Sequence, residues 1–243
     1  MEQKDFWREF ESRVAPYDLL CHPFYQAWAE GKLTREDLRE YAAEYYHHVA
    51  AFPGYLSALA ERLPQGELRQ AVMGNFSDEM GLDSPQARPH HLLWLEFAEG
   101  MRANIPEVRQ RKPIAELRDL IAAFCETART GSAAEALATF YAYESQVPRI
   151  AKEKERGLRE WYRAGDRTCA YFTLHRTADV GHSQVWREQL NRLLAEEPER
   201  ATEALEAGAR TAQALWRALD GIENRREQRA PQAKSVHADQ RSN

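Results

Sequence analysis

Apolar residues recur every three or four positions along nearly the whole chain, between stretches of Ala, Leu, Glu and Arg. That spacing matches the 3.6-residue turn of an amphipathic helix, and these residues are strong helix formers. No pair of alternating β-branched segments, internal repeat or interdomain linker interrupts it. The chain therefore reads as a single all-α domain, a helical bundle. Helices are expected near Asp5–Arg13 and Pro23–Glu30. A longer one is capped by Thr34, with Asp37 as a weak capping partner, and stopped by Phe52-Pro53-Gly54 after about Ala51. Further helices fit Tyr55–Arg62, Gly66–Asp78, His90–Arg102, Ile114–Ala128, a run from Ala133 disturbed at Pro148, Asp166–Leu194 and Pro198–Asn224. The domain is expected to span residues 1–224, with a disordered polar tail over 225–243.

The expected helix over Asp166–Leu194 carries an unusual face. His175, Asp179 and His182 stand at offsets of zero, four and seven. At about 100° per residue they fall within a sector of roughly 60°. Two imidazoles and a carboxylate pointing together into a bundle are costly to bury alone. A bound Fe, Mn or Zn ion would compensate them. Glu144 sits among Phe140, Tyr141, Tyr143 and Val147, again a poor place for an unpaired carboxylate. Glu79 ends one helical run and His90 opens the next. Glu79, Glu144 and Asp179 with His90, His175 and His182 make three carboxylates and three imidazoles, about what two divalent metals need with positions left for dioxygen. Glu44 and His47 form a Glu-x-x-His pair, the spacing of ferritin-like dimetal bundles. That scheme lacks its second pair and ranks behind the first, with His47 and His48 read as core residues.

Composition bounds the remaining possibilities. The 243 residues suit one domain whose core needs no disulfide, and the net charge of -5 is spread without a basic stripe. Nucleic acid is not an expected partner. No apolar run approaches the roughly 20 residues that cross a bilayer, and the polar, acidic start shows no signal-peptide core. Cys21, Cys125 and Cys169 fit no zinc or redox spacing, so a reducing cytoplasm is expected.

Two motifs together carry a family resemblance: Tyr143-Glu-Ser-Gln-Val-Pro-Arg-Ile-Ala-Lys-Glu-Lys154, and Tyr171-Phe-Thr-Leu-His175 followed by Asp179 and His182. With the segment from Tyr17 to Tyr25 they make the chain resemble the Chlamydia protein associating with death domains and its bacterial relatives. These belong to the haem-oxygenase-like dimetal oxidase superfamily and are similar in fold to pyrroloquinoline quinone synthase. The resemblance implies a haem-oxygenase-like bundle holding two divalent metals, Fe/Fe or Fe/Mn, on the six residues above, with dioxygen as co-substrate. The loop from Glu79 to His90 is longer than the family pattern, which leaves Asp78 or His91 as alternatives to those two. The implied activity is synthesis of para-aminobenzoate for folate by a route that bypasses chorismate. Tyr25 would supply the carbon and Lys154 the amino group, with Tyr41, Tyr143 and Tyr171 beside them. A homodimer and a small-molecule reductant are the implied partners. Two other readings stand beside it: a metal-free, thiaminase-like enzyme using Cys169, and a non-enzymatic interaction protein.

Overall fold

The structure, a computed structural model, describes residues 2–239 and contains no strand among them. Twelve α-helices follow in chain order: α1 (Gln3–Val14), α2 (Pro23–Ala29), α3 (Arg35–Arg62), α4 (Glu67–Glu79), α5 (His90–Gly100), α6 (Ile105–Gln110), α7 (Ala115–Thr130), α8 (Ala133–Glu144), α9 (Val147–Tyr162), α10 (Asp166–His175), α11 (Ala178–Glu196) and α12 (Ala201–Asp239). Helix α3 packs on α4, α5 and α7, α8 packs on α11 and α12, and α10 lies on α5 and α9. The all-α expectation holds among the described residues. The interior is aromatic: Trp28, Tyr41, Trp94, Phe97, Phe124, Phe140, Phe172 and Trp186 are all fully buried.

Three departures from the expected elements have physical causes. Helix α3 does not stop at Phe52 but continues through Pro53 to Arg62. An interior proline costs about 3 kcal/mol. Burying Phe52, Tyr55, Leu56 and Leu59 on that same helix, at about 1.5–3 kcal/mol each, outweighs it. The start of α3 is firmer than expected, since Thr34 and Asp37 form a full reciprocal capping box. Helix α12 continues past Arg225, where a disordered tail is expected. Arg225 pairs with Glu44 and Arg229 with Asp37, tying the helix to α3. Residues 240–243 of that expected tail lie outside the described residues.

The third departure bears on the site. The expected single helix through His175 and Asp179 is two helices, with a turn at Arg176 and Thr177. The amides of Arg176 and Thr177 close the end of α10 on the carbonyls of Phe172 and Leu174, and the Thr177 hydroxyl donates to Leu174 as well. Helix α10 packs against α5 and α9, whereas α11 packs against α8. One straight helix could not serve both surfaces.

Candidate metal centre

Five helices deliver the six anticipated side chains to one interior region. They arrive as two trios. Glu79 at the end of α4, His90 at the start of α5 and His175 at the end of α10 bring one ligand-type atom each within 4.8 Å of one another. Glu144 at the end of α8, with Asp179 and His182 from the first turns of α11, does the same. Five of the six residues are buried, and His182 is partly exposed. A small internal cavity lined by Glu79 and His175 of one trio, and by Glu144 and Asp179 of the other, joins the two. The turn between α10 and α11 is what splits the His175/Asp179/His182 motif between the trios.

Local sequence explains the placement. Gly81, at φ +64°, turns the chain away from α4, and a Cβ there would collide with the backbone of Arg88 and Pro89. That crossing closes the loop between Glu79 and His90. His175 Nδ1 lies 2.7 Å from the carbonyl of Tyr171. A carbonyl only accepts, so Nδ1 carries the proton and Nε2 is left free as a ligand. The Trp186 indole donates to Glu144 Oε2, which leaves Oε1 buried without a partner. His90 Nδ1 is 3.0 Å from Glu79 Oε2, yet the pair lacks hydrogen-bond alignment. A buried polar atom left unpaired costs about 1–3 kcal/mol. Cations between these atoms would satisfy them, and mixed imidazole and carboxylate donors suit Fe or Mn. The residues present fit two divalent metals.

Electrostatics agree with that fit. Burial, reinforced by Asp179 and Glu79, pushes the Glu144 carboxyl well above its usual range. Burial works against a charged His182, but Asp179 and Asp78 together raise it to about 11. Burial also disfavours a charged Glu79, yet His90, His175 and His182 hold it below its ordinary value. Without a cation, burial and the neighbouring carboxylates favour a proton on Glu144 and on His182. Divalent ions would take their place.

The alternative ligands stand outside both trios. Asp78 sits 2.9 Å from His182 Nε2 and belongs to neither trio, and neither does His91. Glu44 accepts from the amide of Ile114 and pairs with Arg111 and Arg225. It and His47 stand outside both trios, so the ferritin-like scheme does not assemble. Cys169 is fully buried, burial pushes its thiol up, and it lines neither interior cavity. Activated thiols are held in the opposite way.

A second interior cavity adjoins the first, and Tyr143 and Tyr171 line both. Its wall includes Tyr25, Tyr45, Trp94 and Lys154. The Lys154 ammonium nitrogen donates to Tyr25 at 2.8 Å and to Tyr41 at 2.5 Å, and the two phenol oxygens are 3.0 Å apart. Nζ lies 4.1 Å from the centre of the Tyr25 ring. Burial alone drives Lys154 well below its usual range. Burial likewise raises Tyr25, Tyr41, Tyr143 and Tyr171 well above theirs, so the phenols keep their protons. Tyr45, on the wall of the second cavity, and Trp186, the donor to Glu144, are not singled out by the sequence. The spacing of Tyr41, Tyr45 and His48 on one face of α3 was the available signal for Tyr45.

The chain is similar to known proteins along most of its length. The family model described as iron-containing redox enzyme matches residues 39–216. The 4-aminobenzoate synthase of Nitrosomonas europaea is 37% identical over 233 residues, covering 91% of this chain and 92% of the relative. The 4-aminobenzoate synthase of Chlamydia trachomatis is 36% identical, covering 84% and 86%. A CADD-like protein of unknown function from Nostoc punctiforme superimposes with a TM-score of 0.71 at 16% identity, over 91% of this chain and 99% of that one.

Proposed function

The chain belongs to the family of iron-containing redox enzymes with a haem-oxygenase-like fold, and from that premise we propose that it is a dimetal oxidase making 4-aminobenzoate from its own Tyr25 and Lys154. Glu79, His90 and His175 would hold one cation, and Glu144, Asp179 and His182 the other. Bound there, an Fe/Fe or Fe/Mn pair would supply the oxidising power of dioxygen, with electrons from a small-molecule reductant.

One observation carries the reading: a buried amine, pushed towards its neutral form, stands 2.8 Å from the oxygen of a buried phenol. Turning a tyrosine side chain into 4-aminobenzoate requires nitrogen at the ring carbon that bears that oxygen. It also requires the phenol oxygen to leave that carbon as water, and the Nζ–Cε bond of Lys154 to break once nitrogen is on the ring. Cβ must be cut from Cα and oxidised to a carboxyl group, with dioxygen as the oxidant. Lys154 is in place for the first demand. Its neutral amine is a nucleophile and a proton acceptor for an oxidised Tyr25, whose phenol must lose its proton. Tyr41 holds Nζ beside the Tyr25 oxygen, the three atoms forming a compact triangle that fixes its approach. The aromatic cage excludes water, which would otherwise compete for an oxidised ring. Tyr143 and Tyr171, shared by both cavities, stand between the metal ligands and the reacting pair.

No described helix is long and apolar enough to cross a membrane, and the three cysteines are unpaired. We take the enzyme to work in the cytoplasm, as a homodimer. A strain unable to make para-aminobenzoate tests the proposal. The wild-type chain should restore growth, while Lys154→Arg and Tyr25→Phe should not. Arg keeps the charge but never offers a neutral amine, and Phe removes the phenol. Growth restored by either variant would refute the assignment.

A further inference from the structure

A groove between α4 and α11 opens beside the proposed centre, and nothing in the reaction described above uses it. His182 belongs both to its wall and to the second trio. Asp78 lines it too, 2.9 Å from His182 Nε2 and next in sequence to Glu79 of the first trio. The members of the first trio are buried and none of them lines the groove. Any ion bound for the centre by this route passes His182.

Two features of the groove point to what it admits. Its lining carries three carboxylates, Asp78, Asp83 and Glu188, against the single imidazole of His182, with no Lys or Arg, so it is acidic on balance. Such a mouth concentrates cations and repels anionic molecules. The second feature is Asn75, one helical turn before Asp78 and only 5% exposed. Neither its amide oxygen nor its amide nitrogen has a partner in the protein. An unsatisfied buried amide at the wall of a groove is costly, and its carbonyl oxygen is an ordinary ligand for a hard divalent cation.

We propose that the α4–α11 groove is the port through which divalent cations reach the centre, with Asn75 and Asp78 receiving the ion before it passes His182. This rests on the dimetal reading above and adds a route to it. The acidic mouth sets the rate of loading and not the number of ions held.

Gly74 gives a clean test. It lines the groove, and a Cβ added there meets nothing within 4 Å. Metal-depleted full-length protein would be mixed with Mn2+, and uptake followed by loss of the free-ion magnetic resonance signal. At low salt Gly74→Lys should load about three- to tenfold more slowly than wild type and Gly74→Glu faster, the two converging near 1 M salt, where screening shrinks to about 3 Å. Glu188→Lys makes a change of the same sign and twice the size from the opposite wall and should also load slowly. Asn75→Leu should hold as much Mn2+ at equilibrium, fill more slowly, and melt no lower than wild type, because the lost amide had no partner. Equal low-salt rates in wild type, both Gly74 variants and Glu188→Lys, with full final occupancy, would overturn the port and leave the dimetal reading standing. Wild-type protein that takes up no Mn2+ would end both.

Discussion

The Tyr171 ring is stacked on His175, with centroids 3.9 Å apart and planes 24° from parallel. The same residue touches Trp94 edge-on at 4.8 Å, Trp94 lies 5.7 Å from Tyr41, and Tyr41 lies 6.2 Å from Tyr25. A proposed metal ligand and the proposed substrate are thus joined by an unbroken series of buried rings. In the proposed reaction this series would carry oxidising equivalents between the two cavities.

Breaking that series should separate metal binding from chemistry. Tyr171→Leu is expected to keep its metals, since His175 bonds the backbone carbonyl of residue 171 and not its side chain. Its rate of 4-aminobenzoate formation should fall at least about tenfold, ~1.4 kcal/mol of added barrier. Metal analysis alongside single-turnover product assays checks both halves. A Tyr171→Leu protein with the wild-type rate would remove the ring from the pathway.

The trios predict metal content. Wild-type protein grown with iron and manganese should carry about two ions per chain. His175→Ala and Glu144→Ala, one from each trio, should each lose at least one, because the remaining charges are left unbalanced. Elemental analysis gives the answer directly. Full occupancy in both variants would place the ligands elsewhere.

Four of the six proposed ligands stand out in the sequence, Glu144 as a carboxylate among aromatic residues and His175, Asp179 and His182 by their shared spacing. Glu79 and His90 are marked only by their places at helix ends beside Asp78 and His91. The way the six divide is not legible there. Periodicity alone put His175, Asp179 and His182 on one face, whereas the turn at Arg176 and Thr177 sends them to different trios. That turn follows from α10 and α11 packing on different neighbours, which no local pattern encodes. Pro53 misled for a similar reason: its local penalty is legible, but the burial of Phe52 and Tyr55 that overrides it is tertiary. Asn75 was equally silent, since an asparagine near a helix end reads as polar surface until its burial is seen. Tyr25 and Lys154 were legible only through family resemblance. By itself a lysine flanked by glutamates looks solvated, and only the fold puts it inside an aromatic cage.

His48 predicts acid sensitivity. It is fully enclosed by Tyr45, Phe52, Tyr55, Phe124 and Tyr143, and neither ring nitrogen has a partner. Burial, against a weaker pull from Glu79, lowers it from 6.5 to about 3. Between those values the unfolded chain binds a proton that the folded one refuses. The stability tied to His48 is therefore complete above pH 6.5 and is lost on acidification, by up to ~1.4 kcal/mol per pH unit. His48→Phe should lose less stability than wild type between pH 6.5 and pH 5, read from urea midpoints. Parallel losses in the two proteins would contradict the buried, neutral histidine.

The central claim is that the chain supplies its own ring and nitrogen, and peptide mass spectrometry after aerobic turnover tests it most directly. Metal-loaded protein carrying 13C-tyrosine and 15N-lysine would be given dioxygen and a reductant with no organic substrate. Labelled 4-aminobenzoate should form with both isotopes, at no more than about one molecule per chain, and the peptide containing Tyr25 should lose its side-chain mass. Unlabelled product, or many turnovers from protein whose Tyr25 and Lys154 stay intact, would contradict it.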